Sequence, residues 1–122
     1  MVALGGALGA CLRYGCSVLL AGSDSRFPWA TLLVNVAGCA MAGFLTGWLL
    51  ARGSELPQGG WSLLVFTGIL GGFTTFSAFS VETLRLAESG DSAIALLNIL
   101  ANVLGALLAV FFGAWLARIL VS

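Results

Sequence analysis

The chain alternates between four long apolar segments and three short polar connections. The apolar segments are residues 2–21, 27–51, 61–86 and 93–121. The connections are residues 22–26, 52–60 and 87–92. About 20 helical residues cross the hydrocarbon core of a bilayer, so each apolar segment is long enough to span it. The pattern predicts an all-α membrane protein with one four-helix transmembrane domain over residues 1–122.

The third apolar segment contains a stretch that does not suit a continuous helix. Residues 71–80 read Gly-Gly-Phe-Thr-Thr-Phe-Ser-Ala-Phe-Ser, and paired Gly and paired Thr are poor helix formers. In lipid, a broken helix is tolerated only where protein buries it or where it lines a polar cavity. The stretch therefore predicts a third helix that is broken near its middle. Such a break fits either the working part of an ion pathway or a packing kink with core aromatic residues.

Composition and charge narrow the function classes. The chain is 60% hydrophobic and only 8% charged, and it contains neither Lys nor His, whereas soluble domains carry about 25% charged residues. Five Arg balance five acidic residues, so no charge patch indicates nucleic-acid binding. Cys11, Cys16 and Cys39 have no metal-ligand spacing, and we interpret them as small packing residues.

The arginines are divided equally between the two predicted sides of the membrane. With four spans, Arg52 and Arg118 share one side, Arg26 and Arg85 share the other, and Arg13 lies within the first span. The side richer in Lys and Arg normally stays cytoplasmic, so a chain without such a bias can insert both ways. The four helices of one chain are also a small number with which to enclose an ion pathway. These features together predict an antiparallel (dual-topology) homodimer, a closed two-fold assembly whose second copy supplies an inverted repeat.

Glycine spacing predicts close contacts between helices. The Gly-x-x-x-Gly pairs are Gly5 with Gly9, Gly43 with Gly47, and Gly68 with Gly72. Membrane helices associate through small-residue faces of this kind. The motif alone does not identify the partner of each face.

Polar residues within the spans are expensive to bury, so they mark either function or helix pairing. Thr31 and Asn35 are four residues apart and share a helix face, and Asn98 and Asn102 repeat that spacing. The third segment adds Thr67, Thr74, Thr75, Ser77, Ser80 and Glu82. None of these residues forms a catalytic set, because the chain has no Ser beside a base, no acid pair and no phosphate loop. Each Asn fits an anion pathway or an interhelical hydrogen bond, and Glu82 fits a pore residue or a boundary carboxylate.

Arg13 is the one arginine that lies deep within a predicted span. It is about ten residues into its helix, or roughly 15 Å at the rise of an α-helix. We expect it to face an aqueous vestibule or to act as a structural anchor, rather than to bind an anion directly.

Four motifs, in the same order along the chain, carry a family resemblance. They are Gly5-Gly6 with Gly9-Ala10 and Arg13-Tyr14; Pro28-Trp29-Ala30-Thr31-Leu32 with Asn35 and Gly38; residues 71–80; and Asn98, Asn102 and Gly105. Together they resemble the Fluc/CrcB family of fluoride channels over essentially the whole chain. Ala78 stands where that family usually has Thr, and Ala30 stands where it often has Gly.

The resemblance implies passive export of fluoride from the cytoplasm across the bacterial inner membrane, through two pores in a dual-topology homodimer. It also implies a central structural Na⁺ at the dimer interface, held by the backbone carbonyls of Gly71 and Thr74. Arg13 and Glu82 are expected in vestibules. The expected anion-pore residues are Phe76 and Phe79, with Asn35, Thr31, Ser77, Ser80, Asn98 and Asn102.

Two other membrane functions fit a chain of this size. A small dual-topology multidrug or cation exporter needs a carboxylate deep in its first helix, where this chain has Arg13 and no acid. A non-transporting membrane assembly subunit would explain the Gly-rich faces, but it would not explain hydroxyl groups clustered beside a helix break.

Overall fold

A computed structural model describes residues 1–21, 25–54 and 59–121. Residues 22–24 and 55–58, which belong to the first two predicted connections, lie outside the described residues, as does residue 122. The helices are α1 (Val2–Leu20), α2 (Trp29–Ala51), α3 (π-helical Leu63–Leu70 continued by the α-helical turn Gly71–Phe73), α4 (Phe76–Glu88) and α5 (Ser92–Val121). Regular secondary structure in the described part of the chain is therefore entirely helical.

Within the described residues, four helical segments are long and apolar enough to cross a membrane. They are Val2–Leu20, Trp29–Ala51, Leu63–Glu88 and Ser92–Val121. The predicted all-α class with four membrane-spanning segments is thus confirmed. Many large apolar side chains remain exposed on the outside of the bundle, including Leu108 and Phe111 on α5, as expected for surfaces that meet lipid or a second chain.

The glycine motifs of α1 and α3 pack against each other. A Cβ atom added at Gly9 would strike the Ile69 carbonyl oxygen, and one added at Gly72 would lie 2.6 Å from the Gly6 carbonyl oxygen. The backbones of these two helices are therefore in direct contact. Gly5 faces Gly68 in the same way, so the two motifs are partners within one chain.

A second tight contact joins α2 to α5. Gly43 lies against the Val110 carbonyl, and Gly113 lies against the Ala40 carbonyl. The glycine motif of α2 therefore also finds its partner within the chain.

Substitution of Gly9 tests how much the bundle depends on these contacts. We expect Gly9→Ala to lower the free energy of unfolding by about 1–3 kcal/mol, because the added methyl group forces two backbones apart. Gly6→Ala is the matched control, since in the described part of the chain no atom beyond the adjacent α1 backbone lies within 4 Å of its added Cβ. The measurement is thermal unfolding in detergent, and equal melting temperatures for the two variants would contradict the prediction.

Two residues with extended backbone separate α3 from α4 within the third span. Thr74 has φ −78° and ψ 155°, and Thr75 has φ −151° and ψ 113°. Thr75 is the N-cap of α4, and its Oγ1 accepts a hydrogen bond from the Ala78 N–H at 3.2 Å. Thr suits this position because its hydroxyl satisfies one of the orphan N–H groups that begin a helix.

An ion pair joins two connections at one end of the bundle. Arg26 Nη1 lies 2.9 Å from Asp91 Oδ1, so the segment before α2 lies beside the connection from α4 to α5. The Arg26 side chain is 73% exposed, and surface pairs of this kind stabilise a fold only slightly. The contact therefore places the two connections next to each other but adds little to the stability of the bundle.

Candidate functional site

A cavity of about 350 Å³ lies beside the extended residues between α3 and α4. Its lining is Asn35, Cys39, Thr74, Thr75, Phe76, Phe79, Asn102, Val103, Ala106 and Leu107. Four of the predicted anion-pore residues are in this group: Asn35, Phe76, Phe79 and Asn102. Helices α2, α4 and α5 thus bring together residues that are far apart in the sequence.

Asn35 joins three parts of the bundle. Its Nδ2 donates to the Thr75 carbonyl at 3.2 Å and to Asn102 Oδ1 at 2.9 Å, and its Oδ1 accepts from the Thr75 N–H at 2.8 Å. The N–H and the carbonyl of Thr75 therefore both find partners in one amide side chain. This double contact fixes the orientation of the amide at the cavity wall.

A directed chain of hydrogen bonds continues from Asn35 into the bundle. Asn102 Nδ2 donates to Asn98 Oδ1 at 2.8 Å and to the Asn98 carbonyl at 3.1 Å. Asn98 Nδ2 donates to Thr83 Oγ1 at 2.9 Å, and Thr83 Oγ1 donates to the Phe79 carbonyl at 2.8 Å. Asn98 has no exposed surface. It therefore supports the cavity wall from behind, as an interhelical hydrogen-bonding residue.

The two predicted pore phenylalanines lie edge to face at one side of the cavity. Their ring centroids are 5.2 Å apart and the ring planes are inclined at 65°. Phe79 is 6% exposed, whereas Phe76 is 75% exposed. A single chain therefore leaves this side of the cavity open.

The other predicted pore residues do not line this cavity. Ser77 and Ser80 are exposed on α4, and Ser80 Oγ donates to the Phe76 carbonyl at 2.9 Å. Thr31 is buried, and its Oγ1 donates to Glu82 Oε1 at 2.7 Å. Glu82 Oε2 is buried and has no hydrogen-bond partner among the described residues.

A second recess of about 310 Å³ lies at the end of the bundle that carries the Arg26–Asp91 pair. It is lined by Arg26, Pro28, Glu82, Arg85, Leu86 and Ser89. Glu82 therefore shares the recess with two arginines and also accepts a hydrogen bond from the buried Thr31. The recess is thus charged at this end of the bundle, and the vestibule role of Glu82 stays a prediction.

Arg13 does not lie in this recess. Its Nε donates to the Gly72 carbonyl at 3.1 Å, which is close to the point where α3 ends. Arg13 is therefore hydrogen-bonded to backbone near the end of α3, and both interpretations of it, vestibule residue and structural anchor, stay predictions.

Two residues near the site were not identified from the sequence. Thr83 extends the hydrogen-bond chain, and Cys39 lines the cavity. Cys39 follows Asn35 by four residues and therefore shares its helix face. Its spacing from Asn35 could have identified it as a neighbour of the site. Thr83 carried no comparable signal, because its importance depends on the position of Asn98 in another helix.

Comparison with known proteins gives consistent matches along the chain. The family described as "CrcB-like protein, Camphor Resistance (CrcB)" matches residues 1–114. The fluoride-specific ion channel FluC of Paramagnetospirillum magneticum is 45% identical, over 98% of this chain and 94% of its own length. The FluC proteins of Erythrobacter litoralis and Dehalococcoides mccartyi (strain BAV1) are each 46% identical, over 97% and 98% of this chain and 90% and 92% of their own lengths.

Proposed function

The chain belongs to the CrcB family, and we propose that it is a fluoride channel that passively exports the anion from the bacterial cytoplasm across the inner membrane. The observation that carries the proposal is the cavity where Asn35, Asn102, Phe76 and Phe79 meet beside two extended residues. Hydrogen fluoride enters an acidified cell as a neutral molecule and dissociates inside. A channel then lets the anion leave, because the negative interior favours its exit.

The cavity wall offers an anion neutral partners. Aromatic rings are negative on their faces and positive at their edges, so the edges of Phe76 and Phe79 can face fluoride without trapping it. Amide N–H groups can replace part of its water shell. Conduction requires binding that is favourable enough to admit an ion and weak enough to release it, and neutral donors suit that balance better than a ring of arginines.

The hydrogen bonds of Asn35 suggest how fluoride gains a donor. An amide nitrogen carries two hydrogens, and Asn35 Nδ2 uses them on Asn102 Oδ1 at 2.9 Å and on the Thr75 carbonyl at 3.2 Å. The bond to Thr75 is the longer of the two. We therefore expect an arriving anion to take over this hydrogen, while Asn102 and the Thr75 N–H hold the side chain in place.

The test of the function is ion release from liposomes that contain the purified protein. We expect rapid efflux of fluoride, followed with a fluoride electrode, and no comparable efflux of chloride. Protein-free liposomes provide the background. Equal release of both anions would refute fluoride selectivity, and release of neither would refute the channel.

We propose further that the working unit is an antiparallel homodimer with two pores. The open side of the cavity at Phe76, which is 75% exposed, supports this proposal because a second copy could complete the wall. The equal division of Arg26 and Arg85 against Arg52 and Arg118 is its sequence basis. A closed two-fold arrangement repeats every contact and produces two equivalent pathways.

Adding positive charge to one connection tests the antiparallel arrangement. Glu88 and Ser89 are both exposed at the end of α4, and replacing both with Lys should hold every chain in one orientation. We expect most of the fluoride flux to be lost.

Co-expression with a variant of opposite bias provides the control for this experiment. Ala51 and Ser54 are exposed at the opposite end of the bundle, and replacing them with Lys should favour the reverse orientation. The mixture should recover flux that neither variant shows alone. Full activity of each variant by itself would exclude the antiparallel model.

The proposed Na⁺ at the dimer interface would be held by the carbonyls of Gly71 and Thr74. In a continuous helix these carbonyls accept from the N–H groups four residues later. Here the Thr75 N–H donates to Asn35 Oδ1 and the Ala78 N–H donates to Thr75 Oγ1. Both carbonyls therefore lose their helical donors, and oxygen atoms freed in this way suit a hard cation. A bound Na⁺ would supply a fixed positive charge that joins the breaks of the two chains.

A further inference from the structure

We propose that Arg13 is a positioning residue for the helix break: its guanidinium group holds the Gly72 carbonyl and thereby sets the directions of the neighbouring Gly71 and Thr74 carbonyls. The observation is the hydrogen bond from Arg13 Nε to the Gly72 oxygen, at 3.1 Å, between residues 59 positions apart. The consequence for cation binding rests on the proposed function, whereas the ordering of the break does not.

The register of α1 on α3 brings Arg13 to this point. Gly5, Gly9 and Arg13 follow one another at intervals of four residues, so they lie on one face of α1. At Gly9 the backbones touch, because an added Cβ would lie 2.8 Å from the Phe73 nitrogen. Phe73 is the last residue of α3. One turn further along α1, the Arg13 side chain therefore meets the exposed end of α3 rather than its side.

The Gly72 carbonyl at the end of α3 accepts a hydrogen bond from a side chain instead of from a helical N–H group. The Gly72 carbonyl would accept from the Phe76 N–H in a continuous helix, but Thr74 and Thr75 are extended and interrupt that pattern. Arg13 supplies a donor in place of the missing N–H. A guanidinium group is also favourable here because the C-terminal end of a helix carries partial negative charge, and charge-assisted hydrogen bonds are stronger than neutral ones.

Gly71 precedes and Thr74 follows the Gly72 carbonyl, which Arg13 holds by a hydrogen bond. Their helical donors go to Asn35 Oδ1 and to Thr75 Oγ1, and the hydrogen bond of Arg13 goes to the Gly72 carbonyl that lies between them. The guanidinium group therefore acts through the backbone, and its loss should let the peptide units at the break rotate. The sites that depend on the directions of the Gly71 and Thr74 carbonyls should weaken as a result.

Substitution of Arg13 by Met and by Gln separates positioning from charge. Met keeps an unbranched apolar side chain without a donor, whereas Gln keeps N–H donors without a charge. We expect Arg13→Met to weaken Na⁺ binding by about tenfold or more, as for other residues that orient the ligands of a metal. Arg13→Gln should retain part of the affinity. Na⁺-dependent thermal stability of the purified dimer and elemental analysis of bound Na⁺ provide the measurements.

Hydrogen exchange in Na⁺-free buffer tests the ordering of the break by itself. Amides of residues 72–77 should exchange about tenfold faster in Arg13→Met than in the unaltered protein, because anchored backbone opens less often. Ser17→Ala is the matched control on the same helix, since the Ser17 hydroxyl donates to the Arg13 carbonyl within α1. It should match the unaltered protein in both measurements.

The outcomes of these experiments distinguish the positioning role of Arg13 from the proposed Na⁺ site. Tighter Na⁺ binding in both Arg13 variants would show that the guanidinium group acts as a repelling charge, and would overturn the positioning role. Unchanged exchange and unchanged affinity in Arg13→Met would overturn it as well. If the unaltered protein binds no Na⁺, the cation site is refuted, and the exchange rates alone then decide whether Arg13 orders the break.

Discussion

Fluoride efflux from liposomes should fall to background in Asn35→Asp near neutral pH, whereas Asn35→Ser should keep part of it. An ionised carboxylate only accepts hydrogen bonds, so Asp cannot donate to fluoride, and its negative charge repels the anion. Serine is smaller but retains a hydroxyl donor. The comparison therefore separates loss of a donor from loss of side-chain volume.

The contacts of Asn35 make its replacement by Asp especially severe. Two acceptors, the Thr75 carbonyl and Asn102 Oδ1, now receive hydrogen bonds from the Asn35 amide nitrogen. A carboxylate oxygen in that place would face two acceptors, and buried groups without partners cost about 1–3 kcal/mol each. The variant can therefore lose stability as well as flux, and each effect must be measured.

Size-exclusion profiles and melting temperatures of Asn35→Asp and Asn35→Ser provide the necessary control. The prediction concerns protein that elutes as the unaltered chain does. Unchanged fluoride flux in such Asn35→Asp protein would place Asn35 outside the pathway. It would leave the amide as a purely structural link between α2 and the break.

The membrane-spanning segments could be predicted from the sequence because length and hydropathy suffice for that purpose. A bilayer core about 30 Å thick requires about 20 helical residues in each span, and polar connections delimit the four apolar segments. The paired threonines carried a comparable local signal. Within the third span, Thr74 and Thr75 have extended backbone, and a poor helix former can be recognised without knowledge of its neighbours.

The contacts between helices could not be predicted in this way, because they depend on how each helix is rotated about its axis. Asn98 and Asn102 are the same residue type, four positions apart on α5. Even so, Asn98 is fully buried behind the wall, whereas Asn102 lines the cavity. Hydropathy does not distinguish these positions. The sequence likewise left Arg13 as a vestibule residue or an anchor, since the carbonyl that it contacts lies 59 positions away.

The pairing of the glycine motifs could not be predicted from the sequence either. Their spacing predicted close helix contacts, but the pairing of Gly5 and Gly9 with Gly68 and Gly72 required the structure. With these faces occupied inside the chain, the motifs of α1 and α3 are not available to a second copy. The contacts of the proposed dimer must therefore involve other residues, and Gly71 is the one whose position is most informative.

Gly71→Val should abolish fluoride flux and reduce the dimer fraction, although Gly71 is exposed in a single chain and a Cβ added there meets no clash. Beyond its neighbours along the helix, a Cβ added at Gly71 meets the Phe66 carbonyl oxygen at 3.6 Å, whereas one at the adjacent Gly72 would lie 2.6 Å from the Gly6 carbonyl oxygen. A contact of 3.6 Å is ordinary, so the added Cβ meets no clash among the described residues that would account for a severe effect. The expected damage comes from a second copy that approaches the same break.

The control for this experiment is Gly15→Val in α1. Apart from the adjacent α1 backbone, no heavy atom of the described residues lies within 4 Å of a Cβ added at Gly15. Both substitutions exchange Gly for the same β-branched residue in a helix, so their intrinsic helix propensities change alike. Dimer fraction from light scattering in detergent and initial fluoride efflux should be nearly unchanged in Gly15→Val and strongly reduced in Gly71→Val. A stable dimer with normal efflux in Gly71→Val would show that no partner approaches Gly71, which removes both the two-fold contact at the break and the cation proposed to lie there.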